Sequence, residues 1–335
     1  MLTHKCFNPL NLLATVKIFC LVYCMGLSLA GYSAAVDTTS TLSLDSARKT
    51  YASPHSHFVD LDGVNIHYAD EGKGQNILLI HGTLGDLRDW DAWAADLAKD
   101  YRVLRFDLPG FGLSGEIKNG NYSVDRMLST IDALVDHTGL ERFAIVGISF
   151  GGIVTFRYAA TRRDRVSAMV LLNSAGIQAG KKAQITTNRD RVPKKPAKNI
   201  ISAPSVERSD VEAFYAGYIN DPAARSPDFI TRKLDMLNIV GRDYVGKQGR
   251  ALYERGNPQR ILGNVKAPSL IIWGQGNRAL DTRTAYAFQK ALVKACTTEV
   301  VTLKNGGHYI NVESPKKTLT AARRFLEKNR NRACQ

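Results

Sequence analysis

The chain has 335 residues, 44% of them hydrophobic, and Lys and Arg outnumber Asp and Glu to give a net charge of +14. That length and composition suit one large buried core, and Cys296 and Cys334 lie too far from any pair of histidines to make a metal motif. The basic balance favours anionic surfaces or substrates, but no helix-turn-helix, zinc-finger or aromatic RNA-binding signature accompanies it, so nucleic acid is not an expected partner.

Lys5 and Lys17 precede an uncharged stretch from Ile18 to Val36, and the first acidic residue is Asp37. Ser33 and Ala35 place small residues at the minus-three and minus-one positions of a cleavage site. Residues 1–35 therefore read as a signal peptide or an N-terminal membrane anchor. The protein is expected to be exported: periplasmic, secreted, or anchored to the membrane by an uncleaved leader. Removing Lys5 and Lys17 lowers the charge only to +12. Cys6, Cys20 and Cys24 fall in the leader, leaving Cys296 and Cys334, whose pairing the sequence leaves open. Residues 36–55, rich in Thr, Ser and Ala, are expected to form a flexible linker.

Folded structure is expected from residue 56. Phe58–Asp62 and Val64–Tyr68 flank an Asp62-Gly63 hairpin turn. Apolar runs at Ile77–Ile80, Val103–Phe106 and Ala144–Val146 then alternate with helical periodicities over Asp89–Leu97 and Val124–Leu134. This alternation predicts a mostly parallel sheet flanked by helices. After Ala168–Leu172 the pattern breaks, and it returns at Leu270–Trp273, Glu299–Leu303 and a last helix around Lys317–Leu326. Residues 56–176 and 263–329 are thus expected to form an α/β core, and 177–262 an inserted helical cap. Within the cap, helical pieces are expected at Ser209–Tyr218 and Asp228–Leu237, after a Pro/Lys-rich start at Val192–Lys198.

Gly147-Ile148-Ser149-Phe150-Gly151-Gly152 follows a strand and precedes a helical pattern, the context in which G-x-S-x-G marks a nucleophile. The glycines remove side chains that would collide with the neighbouring strand and helix, and the serine is presented on a strained turn. His308, in Asn305-Gly306-Gly307-His308, follows the last strand in the chain order required of a general base. His81-Gly82-Thr83 ends an earlier strand, and the backbone N–H groups of Thr83 and Phe150 are the expected oxyanion donors.

Over roughly residues 57–328 the chain resembles the α/β-hydrolase family. Asp107-Leu108-Pro109-Gly110-Phe111-Gly112-Leu113-Ser114 is similar to a family loop, and Gly307-His308 with Glu313 and Pro315 is similar to its histidine loop. The resemblance implies an α/β-hydrolase fold and a serine hydrolase that cleaves a carboxylic ester, esterase- or lipase-like, without metal or organic cofactor. A small acyl ester would be its partner, with the basic cap or the leader allowing contact with a membrane. The chain departs from the family at the acid. Trp273-Gly274-Gln275-Gly276-Asn277 puts Asn277 at the usual aspartate position, and Asn173, at the alternative position, is also an amide. Asp281 is the nearest candidate acid, and as the residue before the helical pattern Thr282–Leu292 it equally reads as a helix cap. The same departure supports an alternative expectation, a weakly active or inactive hydrolase-like ligand-binding protein.

Overall fold

A computed structural model describes residues 42–177, 179, 200, 203, 205–242, 256–332 and 334. The expectations for residues 1–41 and for Val192–Lys198 lie outside these.

The hairpin turn closes at Asp62 (φ 50°) and Gly63 (φ 76°), the left-handed pair that matches strand twist. It joins β1 (Ser56–Leu61) to β2 (Val64–Glu71), and β2 also runs antiparallel to β4 (Tyr101–Phe106). The remaining strands are parallel: β3 (Gln75–Ile80), β5 (Phe143–Ile148), β6 (Val166–Leu172), β7 (Ser269–Gly274) and β8 (Thr298–Leu303). Among the described residues they form one eight-stranded sheet in the order β1-β2-β4-β3-β5-β6-β7-β8. Every residue of β5 and β7 is buried, because helices cover both faces, and this is why those strands read as unbroken apolar runs. The fold is the mostly parallel, helix-flanked α/β architecture that the sequence implies.

Helices α2 (Asp91–Leu97), α3 (Val124–His137) and α4 (Phe150–Thr161) follow β3, β4 and β5. One face of the sheet packs on Leu134, Val154, Phe156 and Phe288, the other on Trp90, Trp93, Phe325 and Leu326. Because β4 lies on one side of β3 and β5 on the other, the chain direction across the sheet reverses at β3/β5. The carboxyl ends beside such a reversal open into a crevice where side chains from several loops can converge.

Two expectations are corrected. The segment 36–55 is not wholly a linker: α1 (Leu44–Tyr51) forms there, capped by Ser43, whose hydroxyl accepts from Ser46 N–H at 3.1 Å. Leu44, Ala47 and Tyr51 are spaced for one helical face, which packs against Leu113, Met236 and Ile239. The cap also ends earlier than residue 262. Helices α5 (Arg208–Tyr218) and α6 (Pro227–Leu237) pack with each other through Val211, Tyr215, Phe229 and Ile230, whereas α7 (Pro258–Leu262) buries Leu262 in the main core. Beyond β7 come α8 (Arg283–Ala291), α9 (Ile310–Glu313) and α10 (Pro315–Lys328). Cys296 and Cys334 are disulfide-bonded, with Cα atoms 5.7 Å apart. Among the described residues no helix is long and apolar enough to cross a membrane.

Candidate active site

Ser149 occupies the turn between β5 and α4 with φ 52° and ψ −118°, backbone angles that side-chain-bearing residues rarely adopt. The neighbouring glycines make the turn sterically feasible. A Cβ at Gly147 would lie 2.2 Å from Thr155 Oγ1, and one at Gly151 would lie 2.3 Å from the carbonyl oxygen of His81. The turn is tied down by Ser149 N–H to Leu172 O (3.1 Å) and by the Gly152 and Ala175 N–H groups to Ser149 O (3.0 Å each). Gly151→Ala is expected to lower the unfolding free energy by ~1–3 kcal/mol in a urea titration, since backbone carbonyls cannot move aside as a flexible side chain can. An unchanged midpoint would show that the turn has slack.

His308 lies on the loop between β8 and α9, 6% exposed, with Nε2 2.9 Å from Ser149 Oγ. Asn173 (φ 40°) fixes this loop: its Nδ2 donates to the carbonyls of Gly307 (2.9 Å) and His308 (2.8 Å), and its Oδ1 accepts from Gly274 N–H (2.9 Å). Glu313 accepts from Gly307 N–H (2.8 Å), and Tyr218 O, from the cap, accepts from His308 N–H (2.7 Å). The amide at the alternative acid position is thus a fully engaged clamp between β6, β7 and the histidine loop.

On the far side of the ring, Nδ1 is 3.2 Å from Asn277 Oδ1, which also accepts from the N–H groups of Ala279 (3.0 Å) and Leu280 (3.2 Å). Asn277 Nδ2 is buried and has no hydrogen-bond partner among the described residues. Burial lowers the His308 pKa to about 4, so the imidazole is neutral at pH 7. Asp281, the candidate acid, is engaged elsewhere. Its carboxylate accepts from Arg283 N–H (2.7 Å), Nε (3.0 Å) and Nη2 (2.8 Å), and the Arg283 side chain holds its pKa below the usual value. The structure therefore brings Asn277, not Asp281, to His308.

Phe150 is the first residue of α4, and Thr83 follows Gly82, at which a Cβ would lie 3.1 Å from Ser149 Cβ. Phe150 thus adjoins Ser149 in the chain, and Thr83 is one residue on from a backbone position packed against it. The Thr83 loop is held from above by residues that sequence reading did not identify. Tyr309 Oη donates to Thr83 O (2.9 Å), and Tyr215 Oη to Leu84 O (3.1 Å). From below, His81 Nε2 accepts from Leu108 N–H (2.9 Å), so Nδ1 carries the proton and donates to Gly82 O (2.8 Å).

Further along this loop, Asp86 and Asp89 meet two cations of α6. Lys233 Nζ is 3.0 Å from Asp86 and 2.6 Å from Asp89; Arg232 contacts Asp86 and lies 3.3 Å from Asp89. Burial alone would raise the Asp86 pKa, but the Arg232 and Lys233 charges override it and hold the carboxyl well below the usual range. These four buried residues join the cap to the Thr83 loop.

A second serine–histidine array stands apart from Ser149. His67 Nε2 is 2.7 Å from Ser56 Oγ, and its Nδ1 is 2.7 Å from Asp107 Oδ2. His67 and Asp107 are each 1% exposed, and Asp107 also accepts from Leu87 and Leu113 N–H (2.6 Å each), so the array links β1 and β2 to two core loops.

A family model described as the alpha/beta hydrolase fold matches residues 75–315. The chain is 26% identical over 262 residues to the dihydrolipoyllysine-residue acetyltransferase component of the acetoin cleaving system of Pseudomonas putida, covering 76% of this chain but only 64% of that relative. It is 24% identical to 2-hydroxy-6-oxo-6-(2'-aminophenyl)hexa-2,4-dienoic acid hydrolase of Metapseudomonas resinovorans, over 81% of this chain and 90% of that one. Among solved structures, a bacterial membrane phospholipase A superimposes with a TM-score of 0.70 at 25% identity, covering 92% of this chain and 99% of that one.

Proposed function

The chain belongs to the α/β-hydrolase-fold family, and from that premise we propose that it is a serine hydrolase cleaving carboxylic esters through an acyl-enzyme. The observation that carries this reading is Ser149 Oγ, on a strained turn, 2.9 Å from the Nε2 of a neutral, buried His308. In the first half-reaction His308 Nε2 takes the hydroxyl proton as Oγ attacks the ester carbonyl. The oxyanion develops toward the N–H groups of Thr83 and Phe150. Collapse expels the alcohol, which leaves with the proton held on Nε2. Water then enters, gives a proton to Nε2 and attacks the acyl carbonyl, and Ser149 departs with that proton.

A serine at the elbow disfavours the alkyl-enzyme chemistry of family members that use an aspartate there. The similarity to a phospholipase A supports acyl lipids as the substrate class. The uncharged stretch Ile18–Val36, read as a leader, and the Cys296–Cys334 bond, which an oxidising compartment would preserve, support an exported enzyme. With its net charge of +14, it would work near anionic membranes.

The test is labelling of the purified full chain by a fluorophosphonate probe, with turnover of short and long p-nitrophenyl esters. Labelling confined to Ser149 and abolished in Ser149→Ala is the expected result. A folded protein that neither labels nor hydrolyses would instead favour the ligand-binding reading that Asn277 motivates.

A further inference from the structure

If Ser149 and His308 are nucleophile and base, something must keep the proton on Nδ1 so that Nε2 can accept one. We propose that Asn277 is the positioning residue that does this as a neutral acceptor, its carboxamide turned toward His308 by the backbone N–H groups of Ala279 and Leu280. The inference rests on the serine-hydrolase reading and extends it. It also separates this site from an aspartate-backed one by charge rather than by shape.

A carboxamide can present either its oxygen or its nitrogen. Here Oδ1 accepts from Ala279 N–H, Leu280 N–H and His308 Nδ1, while Nδ2 has no partner among the described residues. Turning the group over would set Nδ2–H against two backbone donors and strand both of them, a worse arrangement than one unpaired NH₂. The two peptide groups therefore choose the face. An accepting Oδ1 requires a protonated Nδ1, which leaves the Nε2 lone pair directed at Ser149 Oγ. This is the tautomer that catalysis needs, and Asn277 selects it without a charge.

Among the described residues no opposite charge stands behind the ring on the other elements either. Tyr218 at the end of α5 and Tyr309 offer phenols, with ring centroids 5.7 and 5.4 Å from that of His308. Glu313 on α9 is engaged by Gly307 and Asp221 N–H, and Arg278 donates to Ala216 O. Asp221 directs its carboxylate to Ala223 N–H. Burial pushes the pKa of the imidazole down to about 4. The base accordingly stays deprotonated in mild acid, where a carboxylate-backed imidazole would be protonated.

The experiment compares kcat/KM against pH for wild type and Asn277→Asp on p-nitrophenyl butyrate, read at the isosbestic wavelength. It is paired with ¹⁵N NMR of the His308 ring in the full chain. Wild type is expected to lose activity only below about pH 5, and Asn277→Asp to move that limb up by at least about one pH unit. At neutral pH the aspartate variant should gain less than ~10²-fold, since the ~10⁴-fold loss on Asp→Asn in a triad comes from the wrong tautomer. A wild-type limb at pH 6.5 or above, a limb unmoved by aspartate, or a ~10⁴-fold gain would each overturn the proposal. NMR should show Nδ1 protonated and Nε2 bare at pH 5.5, and an Nε2–H ring overturns it even if Asn277→Asp fails to fold. Should no ester be turned over at all, the serine-hydrolase reading fails, and the ring tautomer still decides the role of Asn277.

Discussion

Ser149→Ala is expected to lower kcat for p-nitrophenyl ester hydrolysis by ~10⁴-fold or more, with KM little changed. The methyl group leaves the Thr83 and Phe150 backbone in place, so substrate can still bind and its carbonyl can still be polarised. What is lost is the only atom on the elbow that can form the acyl bond. His308→Ala should cost about as much, and the double variant little more, because on the proposed mechanism nucleophile and base act as one unit. The wild-type rate limits the drop that can be measured: on the proposed mechanism Asn277 behind the ring gives the imidazolium formed during attack no counter-charge, so a modest starting kcat is expected. Retention of a tenth of wild-type activity by Ser149→Ala would place the chemistry elsewhere.

Lys233→Met is expected to lower the unfolding free energy by ~3–5 kcal/mol, because it leaves Asp86 and Asp89 facing one cation in a buried site. Lys233 is 1% exposed, so water does not take over the missing charge. At this chain length the loss corresponds to a fall in melting temperature of roughly 5 °C. The double variant Lys233→Met, Asp89→Leu restores charge balance and should recover part of the loss. Absence of any recovery would assign the effect of Lys233→Met to packing. Since Lys233 also donates to Leu84 O at 3.4 Å, beside Thr83, the single variant should lower kcat as well as stability.

Acid acts on stability through two groups with the same sign. The Asp86 carboxyl is held below its usual pKa of 3.8, so its stabilisation is present above that value and is lost as pH falls through the lower folded one. His308 binds no proton in the fold until about pH 4 but titrates near 6.5 when unfolded, so the unfolded chain takes up the proton first. Between pH 6.5 and 4 this costs up to ~3 kcal/mol. Activity is therefore expected to outlast maximal stability on the acid side. Thermal melts across pH 4–7, run beside the rate profile, test this directly.

The sheet was legible in the sequence because buried parallel strands carry uninterrupted apolar runs and because the Ser149 elbow needs its glycines. The ion cluster was not legible: Arg232 and Lys233 lie 143 to 147 positions from their partners, and nothing local marks a cation as buried. Asn277 was readable as a missing carboxylate but not as an oriented amide, although an asparagine followed by open backbone N–H groups two and three residues on is a local turn signature. Helix α1 was missed because three apolar contacts in eight residues make a weak period, and its stability comes from Leu113, Met236 and Ile239 far along the chain.

The Ser56–His67–Asp107 array has a consequence for how such enzymes are identified. A distance template of serine, histidine and carboxylate laid over this molecule selects that tie and passes over Ser149, whose histidine is backed by an amide. The two serines differ in backbone torsion: Ser56 begins an ordinary strand, whereas Ser149 is held at φ 52°. Where the acid of a triad has been exchanged, the bent peptide beneath the nucleophile is the more durable signature, because it survives a change of partner that erases the charge pattern.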